Sequence, residues 1–221
     1  MELSLKENFL LINYDPVKGS SRAGSFLGYG IAGAILMELA EMKKIRIEDK
    51  RIILSDRHHC NDPILDAAID ILSKSNKPMR IRTLLGKIQH RPKVFKKPLV
   101  ESLVKKRYLK EVRKKFLFIP YRMYPSGNIS YSRNLKESIR RLVLKNEGDS
   151  KAIAMLCGLA GACKFSHKFF KAGEERKKAK VRIKKIVEES QIDKTIDQTI
   201  REIQAAILIS VSTAAVATTS S

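Results

Sequence analysis

The sequence predicts a mainly α-helical fold with one or two β-hairpins. Apolar residues recur at helical spacing along most of the 221 residues, and from Ser130 onward the pattern is helical throughout. Two short stretches rich in β-branched and aromatic residues, 45–54 and 108–120, are typical of hairpin strands around polar tips. Apolar residues make up 43% of the chain, enough for a sizeable core, and no long linker divides it. We therefore expect a single domain over residues 1–221.

The first elements follow from their boundary residues. Residues 3–14 predict a short helix that packs on the body of the protein and ends at Asp15 and Pro16. A Gly/Ser-rich loop over 17–25 precedes a helix over 32–42, where apolar residues recur at helical spacing. The first hairpin, over 45–54, then turns through a polar Glu-Asp-Lys tip.

The middle of the chain combines a clear helix start with a basic segment that contains several breakers. Asp62 and Pro63 indicate a helix start, because Asp caps the first turn and Pro fits within it. The segment 74–98 is interrupted by three prolines and a glycine, and no element is assigned to it. A helix over 99–106 leads into the second hairpin, 108–120, which is expected to turn around residues 113–115. This helix and hairpin give the segment the pattern of a winged helix.

The last third of the chain predicts helices only. A polar loop at 146–149 separates the first of them from an apolar stretch, 152–163, which is expected to be a central core helix. A long basic helix is expected over 165–189, and a final one carries Ile196 to Ile207. The Ser/Thr/Ala tail, 212–221, is expected to fray.

Positive charge is clustered in the middle of the chain. The formal net charge is +21, and the window 74–115 holds sixteen Lys or Arg against two acids, Glu101 and Glu111. A cluster of this size favours anionic partners such as nucleic acid, an acidic membrane face or phosphorylated ligands. The absence of Trp and the low aromatic content, 6%, argue against a stacking platform for single-stranded nucleic acid.

No motif indicates an enzyme, a metal or a cofactor. The residues 28–33 match G-x-G-x-x-G literally, but no strand pattern runs into them, and we interpret the glycines as a device for close helix packing. His58, His59 and Cys60 are adjacent and lack the spacing of metal ligands. Cys157 and Cys163 lie on an apolar helix and are expected in the core. Three cysteines indicate reduced thiols in a cytoplasmic protein.

The sequence predicts no membrane span. The longest apolar stretch, 205–217, has thirteen residues with Ser and Thr among them, which is too short to cross a bilayer. A chain of this kind that meets a membrane lies on its surface.

Four motifs, in order, carry a resemblance to a known family. Residues 30–40, with the core Ile-Leu-Met-Glu-Leu-Ala, resemble the glycine-flanked helix of the Golgi phosphoprotein 3 family. Residues 44–47 are similar to the strand that follows it there, and 62–68 to that family's next helix. Residues 99–109 resemble a further helix, which is followed by a basic hairpin and the pair Tyr124-Pro125.

The resemblance implies a fold and a function. The fold would be a central helical bundle surrounded by amphipathic helices, with a protruding β-hairpin. The function would be that of a non-catalytic adaptor, peripherally attached to membranes, which binds anionic phospholipid head groups such as phosphatidylinositol 4-phosphate. Its further partners would be the cytosolic tails of membrane proteins, and its hairpin would contact the membrane or a second copy of the chain.

Carried over residue by residue, the resemblance also implies a lipid-phosphate site. Its two later cations fall at Lys93 and Lys96, whereas its earlier arginine and aromatic fall at Ala32 and near Ala23. The neighbouring cations are expected to assist: Arg22, Arg80, Arg82, Arg91 and Lys97. The hairpin that touches the membrane or a second copy is expected to use Val112, Arg113, Lys114, Lys115 and Phe116.

A nucleic-acid-binding protein of winged-helix type is the alternative interpretation. The helix over 99–106 would approach the duplex, and Arg113, Lys114 and Lys115 at the wing tip would contact phosphates. Few side chains on that helix suit the reading of bases; Glu101 and Ser102 are the candidates beside two lysines.

Overall fold

The computed structural model describes residues 3–21, 26–148, 150–163, 169–189 and 202–212. These residues are mainly helical and include two small antiparallel sheets, which confirms the predicted fold class. A continuous hydrophobic cluster joins side chains from every described helix. No described helix combines the length and the apolarity needed to cross a bilayer. The predicted tail lies outside the described residues from 213 onward, and the single domain over 1–221 stays a prediction.

The elements follow one another along the chain with short connections. In order they are α1 (Leu5–Asn13), α2 (Leu27–Glu41), β1 (Ile45–Glu48), β2 (Arg51–Leu54), α3 (Pro63–Ser73), β3 (Met79–Arg80), α4 (Ile81–Gln89), α5 (Lys96–Lys105), β4 (Val112–Phe116), β5 (Ile119–Met123), α6 (Ile129–Arg140) with a π-helical turn (Arg141–Lys145), α7 (Lys151–Ala162), α8 (Glu174–Glu189) and α9 (202–212).

Helix α1 lies at the centre of the protein rather than on its surface. All nine of its residues are buried, and it contacts α2, α5, α6 and α7. Ser4 caps it, accepting from the N–H of Glu7, while the Glu7 carboxylate accepts from the N–H of Ser4. The helix itself is confirmed, but its polar residues gave no sign of such complete burial.

Glycines let α2 approach its neighbours closely. A Cβ at Gly30 would lie 2.0 Å from Cζ of Phe9 on α1, and one at Gly33 would lie 2.2 Å from Cδ1 of Ile207 on α9. The glycines of the G-x-G-x-x-G match therefore lie within a buried helix and serve packing, as predicted. The helix begins at Leu27, five residues before the predicted start, because these glycines hid its first turns from a propensity-based assignment.

Two glycine substitutions are expected to act in opposite directions. Gly30→Ala should lower the free energy of unfolding by about 2 kcal/mol, because the fully buried Phe9 ring has to move. Gly86→Ala in α4 meets no atom within 4 Å and should raise it by about 1 kcal/mol through helix propensity. Urea unfolding measures both. A Gly30→Ala variant as stable as the parent would contradict close α1–α2 packing.

The first predicted hairpin is confirmed. Strands β1 and β2 pair with Glu48 opposite Arg51, and the two residues between them, Asp49 and Lys50, both have positive φ (48° and 60°). Positive φ at both positions is typical of the tight turns that join antiparallel strands. Strand β3 adds to β2 through Arg51 opposite Arg80.

Helix α4 occupies the basic segment to which the sequence analysis assigned no element. Its buried residues Ile81, Leu84, Leu85 and Ile88 follow helical spacing. The prolines at 78 and 92 lie outside it, and its glycine costs only about 1 kcal/mol relative to alanine. Pro98 lies at the third position of α5, where its missing N–H needs no intrahelical partner, so α5 begins at Lys96 rather than at 99.

The second hairpin turns at a different place from the one predicted. Leu109 pairs with Ser126 at its base and Phe116 with Ile119 at its end, so the antiparallel register puts the turn at Leu117 and Phe118. The segment 113–115, expected at the tip, lies along strand β4 instead. The tip is therefore apolar, and the cations lie on the arm behind it.

Among the C-terminal helices, α7 packs directly against α1 and α2. Helix α7 is the predicted core helix, and α8 packs on it and on the π-helical turn after α6. The long helix predicted over 165–189 is wrong at 169–173, where Gly173 has a φ of 90° and α8 begins only at Glu174. Residues 164–168, and the start of the predicted last helix near Ile196, lie outside the described residues.

Candidate functional site

The connection between α4 and α5 brings the two principal predicted cations to the surface. Its backbone N–H groups at 94 and 95 both donate to the carbonyl of Arg91, and that of Lys97 donates to the carbonyl of Pro92. Phe95, 1% exposed, anchors this compact turn in the core. The turn holds Lys93 at the surface and Lys96 at the first position of α5.

A groove of about 440 Å³ opens between α5 and the base of the second hairpin. One wall is a single face of α5, formed by residues that recur every three or four positions from Lys96 to Lys105. The other wall comes from the hairpin, and Tyr14, just after α1, closes the floor. We call this the α5–hairpin groove; its lining residues are Tyr14, Pro92, Lys93, Lys96, Lys97, Val100, Glu101, Val104, Lys105, Glu111, Arg122 and Tyr124.

The α5–hairpin groove carries unbalanced positive charge. Glu111 accepts from Arg113 at 3.1 Å and from Arg122 at 3.4 Å, and Glu101 lies 3.7 Å from Lys97. Three further lysines have no acid within 4 Å in the part of the chain that the structure describes: Lys93, Lys96 and Lys105. The two acids are thus neutralised by other cations, and three ammonium groups remain available to an anion.

The floor of the α5–hairpin groove is apolar. Val100 and Val104 lie one turn apart on α5, and the rings of Tyr14 and Tyr124 meet edge to face at 5.5 Å. Burial, followed by the neighbouring Tyr124, raises the pKa of Tyr14 to about 12, so its hydroxyl stays neutral over the physiological range.

A second cavity, of about 300 Å³, adjoins the first. It lies between the first two turns of α2, with Gly28 and Ile31, and the end of α4, with Gln89 and His90. Lys96 lines both cavities. Oε1 of Gln89 is buried here without a hydrogen-bond partner in the described part of the chain. Among the described residues, one lysine lines this cavity, whereas four lysines and one arginine line the α5–hairpin groove.

Not every predicted site residue lies at the α5–hairpin groove. Lys93, Lys96 and Lys97 line the groove together, and Arg91 lies two residues before Lys93 on the same turn. Arg80 and Arg82 lie at the N-terminal end of α4, and the nine residues of that helix span about 13 Å before the α4–α5 turn begins. Neither arginine lines either cavity. Ala32 is fully buried. Arg22 and Ala23 lie outside the described residues.

The hairpin wall of the groove and Lys105 were not predicted from the sequence. Lys97, Glu101 and Lys105 are spaced by four residues and therefore lie on one face of α5, so this spacing could have predicted that Lys105 joins the other two. Arg122 and Tyr124 follow the period of two along the hairpin, but no local pattern relates them to α5. Only the folded chain brings these two walls together.

The hairpin carries the most exposed apolar side chains next to this site. Phe116, Leu117, Phe118 and Ile119 are 67%, 75%, 96% and 68% exposed. Behind them on β4, Arg113, Lys114 and Lys115 are exposed, while Val112 is half-buried. The hairpin thus presents an apolar end followed by a cationic arm.

The residues considered for metal or thiol chemistry do not form a site. His58 contacts Asp56, His59 contacts Asp70, and Cys60 donates to Asp66, so the three side chains point to separate carboxylates. No group of three or more such ligands converges within the described ranges. Burial raises the pKa of both Cys157 and Cys163 to about 12, which keeps these core thiols protonated.

A comparison with protein families identifies the family of the chain. The family model of Golgi phosphoprotein 3 (GPP34) matches residues 5–203, from the central helix α1 into α9. The match spans the elements that build the core, the α4–α5 turn and the hairpin. The chain belongs to the Golgi phosphoprotein 3 family.

Proposed function

We propose that this protein is a non-catalytic adaptor that attaches peripherally to membranes by binding anionic phospholipid head groups. The observation that carries the proposal is the α5–hairpin groove, where Lys93, Lys96 and Lys105 have no acidic partner among the described residues and lie beside an exposed apolar hairpin tip. Lipid phosphates carry the complementary charge, and an acidic bilayer attracts each nearby Lys or Arg with about 1 kcal/mol.

The spacing along the hairpin suits a bilayer surface. Arg122 follows the tip residue Ile119 by three positions on β5, which is about 10 Å along an extended strand. Apolar side chains of peripheral proteins enter the boundary between head groups and acyl chains by about 5–10 Å. A tip inserted to that depth brings Arg122, on the same strand, to the level of the lipid phosphates.

Flotation on vesicles tests this function. We expect the protein to bind phosphatidylcholine vesicles that contain phosphatidylserine or phosphatidylinositol 4-phosphate, and not vesicles of phosphatidylcholine alone. Binding should weaken as salt rises, because screening shortens the reach of exposed charges. The double variant Lys93→Gln/Lys96→Gln should lose about 2 kcal/mol, close to thirtyfold in affinity.

A matched variant separates local charge from net charge. Lys178→Gln/Lys180→Gln removes two exposed lysines from α8, which has no extensive contact with α5 or with the hairpin. It should bind the same vesicles within about twofold of the parent. Equal losses in the two double variants would show attraction by net charge alone and refute a localised site.

The nucleic-acid alternative stays a prediction with a changed geometry. Helix α5 followed by the β4–β5 hairpin retains the winged-helix order, but the wing tip carries Leu117 and Phe118 in place of the expected cations. The apolar side chains of the tip make no hydrogen bond to phosphate, so Arg113, Lys114 and Lys115 would contact a duplex from the arm of the wing rather than from its tip. A mobility shift with duplex DNA that persists at moderate salt would favour this alternative.

A further inference from the structure

Helix α8 carries a second concentration of positive charge. Its residues 176–185, which we call the basic stretch of α8, include seven Lys or Arg and no acid. The acids just before the stretch are engaged: Nζ of Lys177 lies 3.1 Å from Oε1 of Glu174, and Nη1 of Arg140 lies 2.7 Å from Oε1 of Glu175. Three exposed cations of the stretch have no acidic partner within 4 Å among the described residues: Arg176, Lys178 and Lys180.

The basic stretch of α8 is separate from the α5–hairpin groove. Helix α8 packs on α7 and on the π-helical turn, α7 packs on α1, and α1 packs on α5. The apolar side of α8 is used in this packing, because Ala179, Ile183 and Ile186 are all buried. Within 176–185, Val181 is the one residue that is both apolar and exposed. A helix that lies in a membrane surface needs a whole apolar face for the acyl chains, and α8 has none left to offer over this stretch.

The exposed cations of the stretch lie on both flanks of α8. Lys180 follows Arg176 by one turn on the first flank. At 3.6 residues per turn, Lys178 lies about 160° around the helix from Lys180, on the second flank. Lys177 and Val181 lie on the crest between the two flanks. A flat surface would contact the crest alone, whereas a partner that contacts both flanks has to surround the helix on two sides.

The DNA duplex has the shape and the charge that this arrangement fits. Its major groove is about 12 Å wide and admits one α-helix, with a phosphate strand on either side. The duplex carries one negative charge per about 1.7 Å of its axis. Interfaces between proteins are depleted in lysine and rely on aromatic anchors, and 176–185 contains no aromatic residue. Double-stranded RNA fits less well, because its major groove is too narrow for side chains to enter.

We propose that α8 binds double-stranded DNA by lying in its major groove, with Arg176 and Lys180 towards the phosphates of one strand and Lys178 towards those of the other. The contacts are made to phosphates, so binding does not depend on base sequence. The inference goes beyond the proposed function and uses no residue of the α5–hairpin groove. It also differs from the winged-helix alternative, which uses α5 and the β4–β5 hairpin.

Fluorescence anisotropy with a labelled DNA duplex, repeated at several salt concentrations, tests the inference. We expect a Kd of about 1–100 μM at physiological salt, the range of sequence-independent binding. Lys178→Gln/Lys180→Gln removes two phosphate contacts. It should weaken binding by about thirtyfold at physiological salt and reduce the slope of log affinity against log salt by about two. An unchanged affinity and slope in this variant would overturn the inference.

A matched variant separates the basic stretch from net charge. Lys74→Gln/Lys77→Gln removes two exposed lysines that follow α3 and changes the net charge by the same amount. It should bind the DNA duplex within about twofold of the parent and keep the slope. Equal losses in the two double variants would show attraction by net charge and refute the inference. A reduced slope in Lys114→Gln/Lys115→Gln, with the slope of the α8 variant intact, would assign the DNA to the winged helix instead.

Three further probes identify the partner of α8. Double-stranded RNA of the same sequence should bind more weakly than DNA and respond little to Lys178→Gln/Lys180→Gln. If RNA and DNA lose equal affinity in that variant, α8 does not lie in a major groove. Poly-glutamate that binds as tightly as DNA and competes with it would identify an acidic protein segment as the partner. If Lys178→Gln/Lys180→Gln loses flotation with anionic vesicles and keeps its affinity for DNA, the partner is a membrane; each of these three results overturns the inference.

Discussion

Replacing Lys6 with Met is expected to lower the free energy of unfolding by about 3–5 kcal/mol, the cost of leaving a buried charge without its partner. The Lys6 side chain is 4% exposed. Its Nζ lies 2.6 Å from Oε2 of Glu38 on α2 and 2.7 Å from Oδ2 of Asp62, the cap of α3. One ammonium group therefore joins the N-terminal part of α1 to α2 and α3.

The pKa values of Lys6 and Glu38 are both raised, for different reasons. Burial lowers the pKa of Lys6, but Glu38 and Asp62 outweigh it, so the net pKa is raised and the amine stays charged. Burial dominates at Glu38 and raises its pKa in spite of Lys6. Without Lys6, the Glu38 carboxyl keeps the N–H of residue 6 as a donor, at 2.7 Å in the parent, and faces Asp62 with no counterion.

A double variant provides the control. Lys6→Met/Glu38→Met replaces the pair by apolar side chains and should be more stable than Lys6→Met alone, because buried pairs are often replaced with little loss. Asp62 keeps the N–H groups of Ile64 and Leu65 and is 32% exposed in its side chain. Urea unfolding of the four proteins in the cycle should give a coupling energy of about 2 kcal/mol. Additive losses would mean that Lys6 and Glu38 act independently.

Local signals in the sequence were sufficient to place an element where a cap residue or an apolar stretch determines it. Asp62 accepts from the N–H groups at 64 and 65, as its position before Pro63 predicts, and the apolar stretch 152–163 is the core helix α7. Helices whose boundaries depend on packing were placed less well. The early start of α2 relies on the approach of Gly30 to Phe9, a contact between residues 21 positions apart.

Only one side of the candidate site, the lysines of the α4–α5 turn, could be predicted from the sequence. Lys93, Lys96 and Lys97 lie within five residues, so their proximity needed only a compact turn. The hairpin wall depends on register, which pairs Leu109 with Ser126 and thereby moves the turn from the cations to Leu117 and Phe118. Charge patterning favoured a polar tip, because turns usually contain polar residues, and this chain departs from that rule at the place where we propose that it meets a membrane.

The two residues of the hairpin tip depart most clearly from the rule that turns contain polar residues. Leu117 and Phe118 have φ of 46° and 69°, in the left-handed region that side chains such as these adopt at a cost of about 1–2 kcal/mol each. Asn-Gly is the pair that such two-residue turns favour. A strained pair of large apolar residues, exposed at 75% and 96%, does not stabilise the fold. Under the proposed function, this pair is the part of the hairpin that enters the bilayer.

Leu117→Asn/Phe118→Gly is therefore expected to separate stability from binding. The variant should gain about 1–2 kcal/mol in the free energy of unfolding through relief of the left-handed strain. It should lose at least a hundredfold in affinity for anionic vesicles, because burial of a Leu and a Phe contributes about 1.5–3 kcal/mol each. Unfolding in urea and flotation measure the two effects on the same preparation, and neither substitution changes the net charge.

The β1–β2 turn offers a matched control. Asp49 and Lys50 occupy the same two positions with φ of 48° and 60°, so Asp49→Asn/Lys50→Gly introduces the same turn at the same net charge. It should gain similar stability and keep its affinity for vesicles. If both variants retain binding, the tip makes no membrane contact and the lysines of the α5–hairpin groove act alone. If the tip variant instead loses self-association in light scattering while it still floats with vesicles, the apolar pair joins copies of the chain, because the same exposed surface can be buried by protein as well as by lipid.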